Sequence, residues 1–270
     1  LFKKAGLDPD KAPTTWAEIE ADAEKVNGLG GDIKGFYFSG ACGGCNIFTF
    51  TPLVWASGGE ILSEDGSKAM LTDPKLREAI DFYRGMIAKG LVPEGAQTDN
   101  GSNFFAAFAG GNIGIAPSGA FAIGALNTQY KDLDYGVTFL PGKDGGWSSF
   151  AGGDNFVFTK GTQKAKVLQE FLDYAYSLEG QTLLASRGSL PVRNDIAKDA
   201  LKDLDPRYQI AAEAMAKGRT PYSVVFNDII NSANGPWAQM ISEVFYGDDV
   251  DGAIANAQET MQGIIDGAGK

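Results

Sequence analysis

Apolar positions recur along this chain in short bursts, some at helical spacing and some as compact runs, with glycine and proline between them. The first helical burst is announced by Thr15-Trp16-Ala17-Glu18. The Thr15 hydroxyl can accept an orphan helix N–H while Glu18 reaches back, which predicts a helix to about Asn27, with Pro13 fixing the turn before it. Asp73-Pro74 marks a second start, with an acidic cap and proline at the first helical position. Leu76, Ile80, Tyr83 and Ile87 then fall on one face, and Gly90 closes the helix. Ser102 is expected to cap a short helix carrying Phe104, Phe105 and Phe108, after which Gly110-Gly111 turns into the strand Ile113 to Ala116.

Further along, Tyr135 to Leu140 reads as a strand broken at Pro141-Gly142, and Lys143 to Ser149 has the composition of a loop or crossover. Asn155 to Thr159 predicts a buried strand, and Gln163 to Tyr176 predicts a helix with Val167, Leu168, Phe171, Leu172 and Ala175 apolar. A strand followed by a helix argues for an α/β layer. From Asn194 onward the pattern is helical, with breaks at Gly218 to Pro221 and at Gly247-Asp248. No internal repeat is present, which argues against solenoids.

Composition narrows the function. With 34 acids against 23 bases, the 270 residues carry a formal charge of −11, which repels phosphate backbones and anionic lipid, so no nucleic-acid partner is expected. No run approaches the roughly 18 to 20 apolar residues of a membrane span, and Leu1-Phe2-Lys3-Lys4 is too short and polar for a signal peptide, so a soluble mature chain is expected. Histidine is absent, which removes Ser/His and Cys/His nucleophile pairs and His-rich zinc sites. The first residue is Leu rather than Met and no strand precedes the first helix, so an upstream segment is expected.

Leu1 to Asp8, followed by Pro13 to Glu18, resembles the segment after the first interlobe crossing in the family 1 solute-binding proteins of ABC importers, the maltose-binding-protein-like group. The likeness continues in order through Trp55 to Gly59, Phe104 to Gly119 with Phe121, Tyr135 to Pro141, Phe171 to Pro191 and the helices around Gly247 to Ile265. It implies an α/β, two-lobe, type II periplasmic-binding-protein-like architecture with an incomplete first lobe and a helix-rich C-terminal part. By analogy residues 1–139 and 192–270 form the C-terminal lobe, 144–187 a partial N-terminal lobe, and 140–143 and 188–191 the hinge crossings.

The implied function is non-enzymatic: an extracytoplasmic receptor that closes around a small neutral sugar and presents it to ABC permease subunits. Such a chain would be a monomer without cofactor or metal, periplasmic or extracellular, and anchored if an upstream lipid modification exists. A sugar needs aromatic plates for its faces and amides, acids or backbone groups for its hydroxyls. Phe121 stands where the family places a stacking aromatic, although a core role would also suit it. Gly153, Asp154 and Asn155 could bring backbone and side-chain polar groups to hydroxyls, or form a plain turn. Asn227, Asn231 and Asn234, with Trp237 three positions on, would line one face of a helix or helix entry, and Trp237 could instead pack. Asn46 and Phe48 are carried over as contacts from the resemblance.

Other cargo, such as a polyamine, peptide or metal chelate, would demand different side chains, several carboxylates in the cationic case. A secreted carbohydrate-active enzyme would need two carboxylates at catalytic separation; Asp248-Asp249 and Glu64-Asp65 sit in turn-like segments instead. Micromolar binding needs about −8 kcal/mol, more than one lobe's hydrogen bonds supply at roughly 1 kcal/mol each, so this chain is expected to bind ligand weakly or not at all. Cys42 and Cys45, the only cysteines, suggest a local disulfide stiffening a glycine loop, with a redox centre as the alternative. A thiol titration should find no free thiol before reduction and both cysteines after it.

Overall fold

The computed structural model describes residues 1–102 and 105–268; the expected helix residue Phe104 lies outside the described residues. In chain order the first elements are helix α1 (Trp16–Asn27), strand β1 (Lys34–Phe36), helices α2 (Gly43–Thr49), α3 (Thr51–Ala56), α4 (Pro74–Ala88) and α5 (Ala106–Ala109), and strand β2 (Ile113–Ile115). Helix α6 (Phe121–Gln129), the hairpin strands β3 (Leu140–Pro141) and β4 (Trp147–Ser148), and helices α7 (Ala165–Ala175), α8 (Leu178–Ala185), α9 (Ala197–Leu201) and α10 (Arg207–Ala216) follow. A π-helical turn at Asn227–Asn231 leads into α11 (Pro236–Val244) and α12 (Val250–Gly267). Contacts divide the chain into a larger unit, residues 1–119, 139–150 and 219–270, and a smaller one, residues 120–138 and 151–218.

In the larger unit β1 and β2 pair in parallel, Lys34 opposite Ile113 and Phe36 opposite Ile115, with α1 laid against both. Glycine permits the approach: a Cβ on Gly35 would stand 2.1 Å from the Ala23 carbonyl oxygen, and one on Gly114 2.9 Å from Val26. At the start of α1 the Thr15 hydroxyl accepts from the Glu18 N–H as expected. The Glu18 carboxylate reaches one residue further than a capping box, accepting from the Thr14 N–H at 2.7 Å and the Thr14 hydroxyl at 2.8 Å. Helix α4 begins as its sequence dictates, with the Asp73 side chain accepting from the Lys75 N–H, and buries Leu76, Ile80 and Tyr83.

Tyr83 stands at the centre of an aromatic core. The rings of Phe38, Phe50 and Phe245 lie 4.6, 5.0 and 5.4 Å from it, so α4, the chain after β1, the α2–α3 junction and the end of α11 meet there. Arg84, one position on, donates to the carbonyls of Val244, Phe245 and Gly247, satisfying the C-terminal end of α11 with a cation where the helix dipole is negative. Helix α12 is tied down by two glutamines one turn apart: Gln258 bonds Leu71 N–H and Ala69 C=O, and Gln262 bonds Ala69 N–H and Ser67 C=O.

The smaller unit has a modest core of Ile123, Ala185, Leu201 and Tyr208. A polar knot fixes α6 to the start of α10. Arg207 donates to both Asp205 oxygens, to Asn127 Oδ1 and to the Tyr135 carbonyl, and its guanidinium lies 3.9 Å from the Tyr135 ring centroid. These contacts group residues 120–138 and 192–218 with the smaller unit, whereas the resemblance had assigned them to the larger lobe.

Two expected strands are corrected. Residues 135–139 form no strand, and β3 begins only at Leu140, paired antiparallel with β4. Residues 155–159 are irregular and exposed, with Val157 76% accessible, and the expected helix that follows forms as α7 but buries no side chain. The apolar pattern is real, but a run buries and extends as a strand only where a neighbouring strand supplies hydrogen bonds, and none does so here among the described residues.

The Arg207 hydrogen bonds hold the Asp205 carboxylate down to about 2, below its unfolded value of roughly 3.9. Its contribution is therefore present above about pH 4 and lost as pH falls towards 2. Asp205→Asn should remove on the order of 2 kcal/mol of stability at neutral pH and flatten this acid limb, read from denaturant midpoints between pH 2 and 7.

Candidate functional site

The larger unit carries an aromatic ladder that begins in solvent and ends in the fold. Phe48, on α2, is 45% exposed, and its ring meets Phe150 edge-on at 4.8 Å. Phe150 in turn stacks on Trp55 of α3 at 6.2 Å. Arg219 completes the group: its N–H bonds the Ser149 carbonyl, its guanidinium lies 5.6 Å from the Trp55 ring centroid, and Nη2 pairs with Glu60 at 2.6 Å. Each ring is held by the next, so Phe48 is presented with little freedom.

The π-helical turn packs against α2 and buries Ile229 and Ile230 beneath it. Asn227, Asn231 and Asn234 are all exposed. They do not share a helix face with Trp237, and that part of the expectation is corrected. The turn ends at Ser232, and Pro236 starts a new helix behind Gly235, where a Cβ would meet the Asp228 carbonyl oxygen at 2.5 Å. Trp237 is 0% exposed, and its indole N–H is spent on the Gly43 carbonyl at 2.9 Å, so it packs.

Asn46 also turns inward. At 1% exposure its amide donates to the carbonyls of Ser39 and Cys42, both at 2.8 Å, which corrects the carried-over contact role. Two helical positions turn the chain by roughly 200°, so Asn46 faces the interior while Phe48 faces out. Cys42 and Cys45 form a disulfide across the first turn of the same helix.

In the smaller unit Phe121 opens α6 and is 54% exposed, against the core alternative that its residue type favours. Gly153, Asp154 and Asn155 are exposed in an irregular segment, and a Cβ at Gly153 would meet nothing within 4 Å. Phe150 and Arg219 were the residues that sequence reasoning missed. They are 69 positions apart and meet only through a backbone bridge, so no local spacing could have paired them.

The carboxylate pairs serve the backbone. Asp249 caps α12 by accepting from the Gly252 N–H, and Asp65 is held at about 2 by the hydroxyl and backbone groups of Ser63 and Ser67, in an exposed turn.

The chain is similar to several known proteins. The diacetylchitobiose-binding protein DasA of Streptomyces coelicolor is 30% identical over 225 residues, which is 82% of this chain and 51% of that protein. A putative binding protein of Brucella abortus is 28% identical over 73% of this chain and 48% of its own. The sn-glycerol-3-phosphate-binding protein UgpB of Yersinia pestis is 29% identical over 64% of this chain and 40% of its own. The chain thus spans about half the length of the curated relatives it matches. The fold matches the cyclic α-maltosyl-1,6-maltose-binding protein of Arthrobacter globiformis with a TM-score of 0.81 at 22% identity, covering 98% of this chain and 67% of that one. The sugar-binding protein MalE of Xanthomonas citri gives 0.81 at 19%, covering 99% and 67%. These neighbours make the fold α/β, of the type II periplasmic-binding-protein class. Residues 1–182 match the model of the bacterial extracellular solute-binding proteins, and the chain belongs to that family.

Proposed function

We propose that this chain serves as a receptor for a small neutral carbohydrate, delivering it to the permease subunits of an ABC importer without making or breaking a bond in it. The observation that carries the reading is the braced, exposed Phe48 ring, beside a segment that exposes three uncharged amides. An aromatic face matches the apolar face of a pyranose, and amides match hydroxyls because each can donate and accept. Phe121 and the Gly153 to Asn155 segment supply the same two chemistries in the smaller unit. The diacetylchitobiose- and maltosyl-maltose-binding relatives, and a Thermotoga lettingae neighbour bound with α-D-tagatose, support a carbohydrate.

A phosphorylated polyol is the second reading. UgpB favours it, and Arg219 is the cation at the ladder. Against it, Arg219 is already paired with Glu60, which neutralises the charge that a phosphate would seek.

Ligand-observed NMR titration with mono- and disaccharides, chitobiose included, should give weak saturable binding, and glycerol 3-phosphate should give none. Phe48→Ala should weaken sugar binding about tenfold, at a stability cost of about 1 kcal/mol from the lost ring contact with Phe150. Asn46→Ala should instead cost on the order of 1 to 2 kcal/mol of stability, because it removes two side-chain hydrogen bonds at a buried position while each carbonyl keeps its backbone N–H donor. Saturable binding of glycerol 3-phosphate with no sugar bound would replace the first reading by the second.

A further inference from the structure

The reactive group that ligand binding leaves unused is the disulfide, and it does not stand alone. It closes the first turn of α2, where Cys42 Sγ also accepts from the Cys45 N–H at 3.0 Å. Gly101 lies against both sulfurs: a Cβ there would stand 2.7 Å from Cys45 Sγ and 2.9 Å from Cys42 Sγ, and its φ of +98° disfavours any other residue as well. From Gly101 a chain of hydrogen bonds returns to the helix. The Gly101 N–H donates to Asp99 Oδ1 at 3.1 Å, and Asp99 Oδ2 accepts from the hydroxyls of Tyr37 at 2.5 Å and Ser39 at 2.7 Å. The Ser39 carbonyl accepts from the Asn46 amide, which also bonds the carbonyl of Cys42.

Disulfide, glycine, buried aspartate, serine and asparagine thus form a closed ring around the base of a seven-residue helix that carries Phe48. So short a helix has little intrinsic stability, and its orientation depends on such fastenings.

We propose that the Cys42–Cys45 disulfide, seated on Gly101, is the positioning element for α2, and that its reduction loosens the presentation of Phe48. A dithiol supplies the chemistry. Its thiolate attacks one protein sulfur to form a mixed disulfide, and its second thiol displaces that sulfur. Two electrons pass to the protein, each cysteine takes a proton, and the dithiol leaves as its cyclic disulfide. Two thiols need more room than a bonded sulfur pair, and Gly101 occupies the room on its side. Reduction therefore displaces the glycine, and with it the N–H that holds Asp99. The closed loop is only four residues long, so the unfolded chain gains little freedom and global stability changes little.

The test compares the 270-residue chain before and after dithiothreitol, alongside the Cys42→Ser/Cys45→Ser double variant and Gly101→Ala with its disulfide intact. Amide exchange at Asn46 and Gly101 should rise about tenfold in all three perturbed forms while the amides of α4 keep their protection. Unchanged exchange at those two amides would overturn the proposal. The effect on Phe48 rests on the carbohydrate reading: reduced protein should bind the sugar severalfold more weakly at an unaltered melting temperature, and equal affinity in the two redox states overturns the link to Phe48. If the oxidised chain binds no sugar at all, the carbohydrate reading fails while amide exchange still decides the positioning role.

Discussion

The placement of α2 and its exposed Phe48 in the larger unit depends on an aromatic core that gathers distant parts of the chain around Tyr83. Phe38 and Phe50 come from the first fifth of the sequence and Phe245 from the last tenth, and all three rings meet the same tyrosine. Aromatic pairs of this kind contribute about 0.5 to 1.5 kcal/mol each beyond the area they bury. Their larger effect is geometric: with α11 locked against α4 by Arg84 and joined to α2 by the Trp237 indole, the core sets where α2 docks. Phe48 inherits that position.

The division of labour within α2 follows from helix geometry. Asn46 faces the interior and is consumed by backbone carbonyls, while Phe48, two residues later, emerges on the other side and leans on Phe150. The disulfide and Gly101 close the near end of the same helix. A residue type that suits hydroxyl recognition is thus used for packing, and one that suits packing is displayed. Similar exchanges occur elsewhere: Trp237 is buried and Phe121 is exposed. Residue chemistry alone ranks such candidates in the wrong order because burial is a property of the neighbours.

The carboxylates show the same economy. An acidic chain with 34 Asp and Glu offers many pairs for acid–base chemistry. Asp73 and Asp249 cap helices, Asp65 shapes a turn, Asp205 anchors Arg207 and Glu60 neutralises Arg219. Each of these groups accepts from N–H, hydroxyl or guanidinium donors within the fold.

Local chemistry was legible in the sequence because it is set by neighbours one turn away. The caps at Thr15 and Asp73, the buried face of α4, the end at Gly90 and the strand at Ile113 follow from local spacings, while the Cys42–Cys45 disulfide was expected from the compartment that the resemblance implies. The order of the matching segments also carried the resemblance to solute-binding proteins, since each segment alone is a loose match. Only the tertiary structure could decide what required distant partners. The run Asn155 to Thr159 stays irregular without a strand beside it, the amide series breaks at Gly235, and the ladder joins Phe48 and Trp55 to Phe150, whose backbone bridges to Arg219. A hydrogen bond or ring contact across a hundred residues leaves no periodic trace in the chain, because its cost and its gain are settled only when the fold closes.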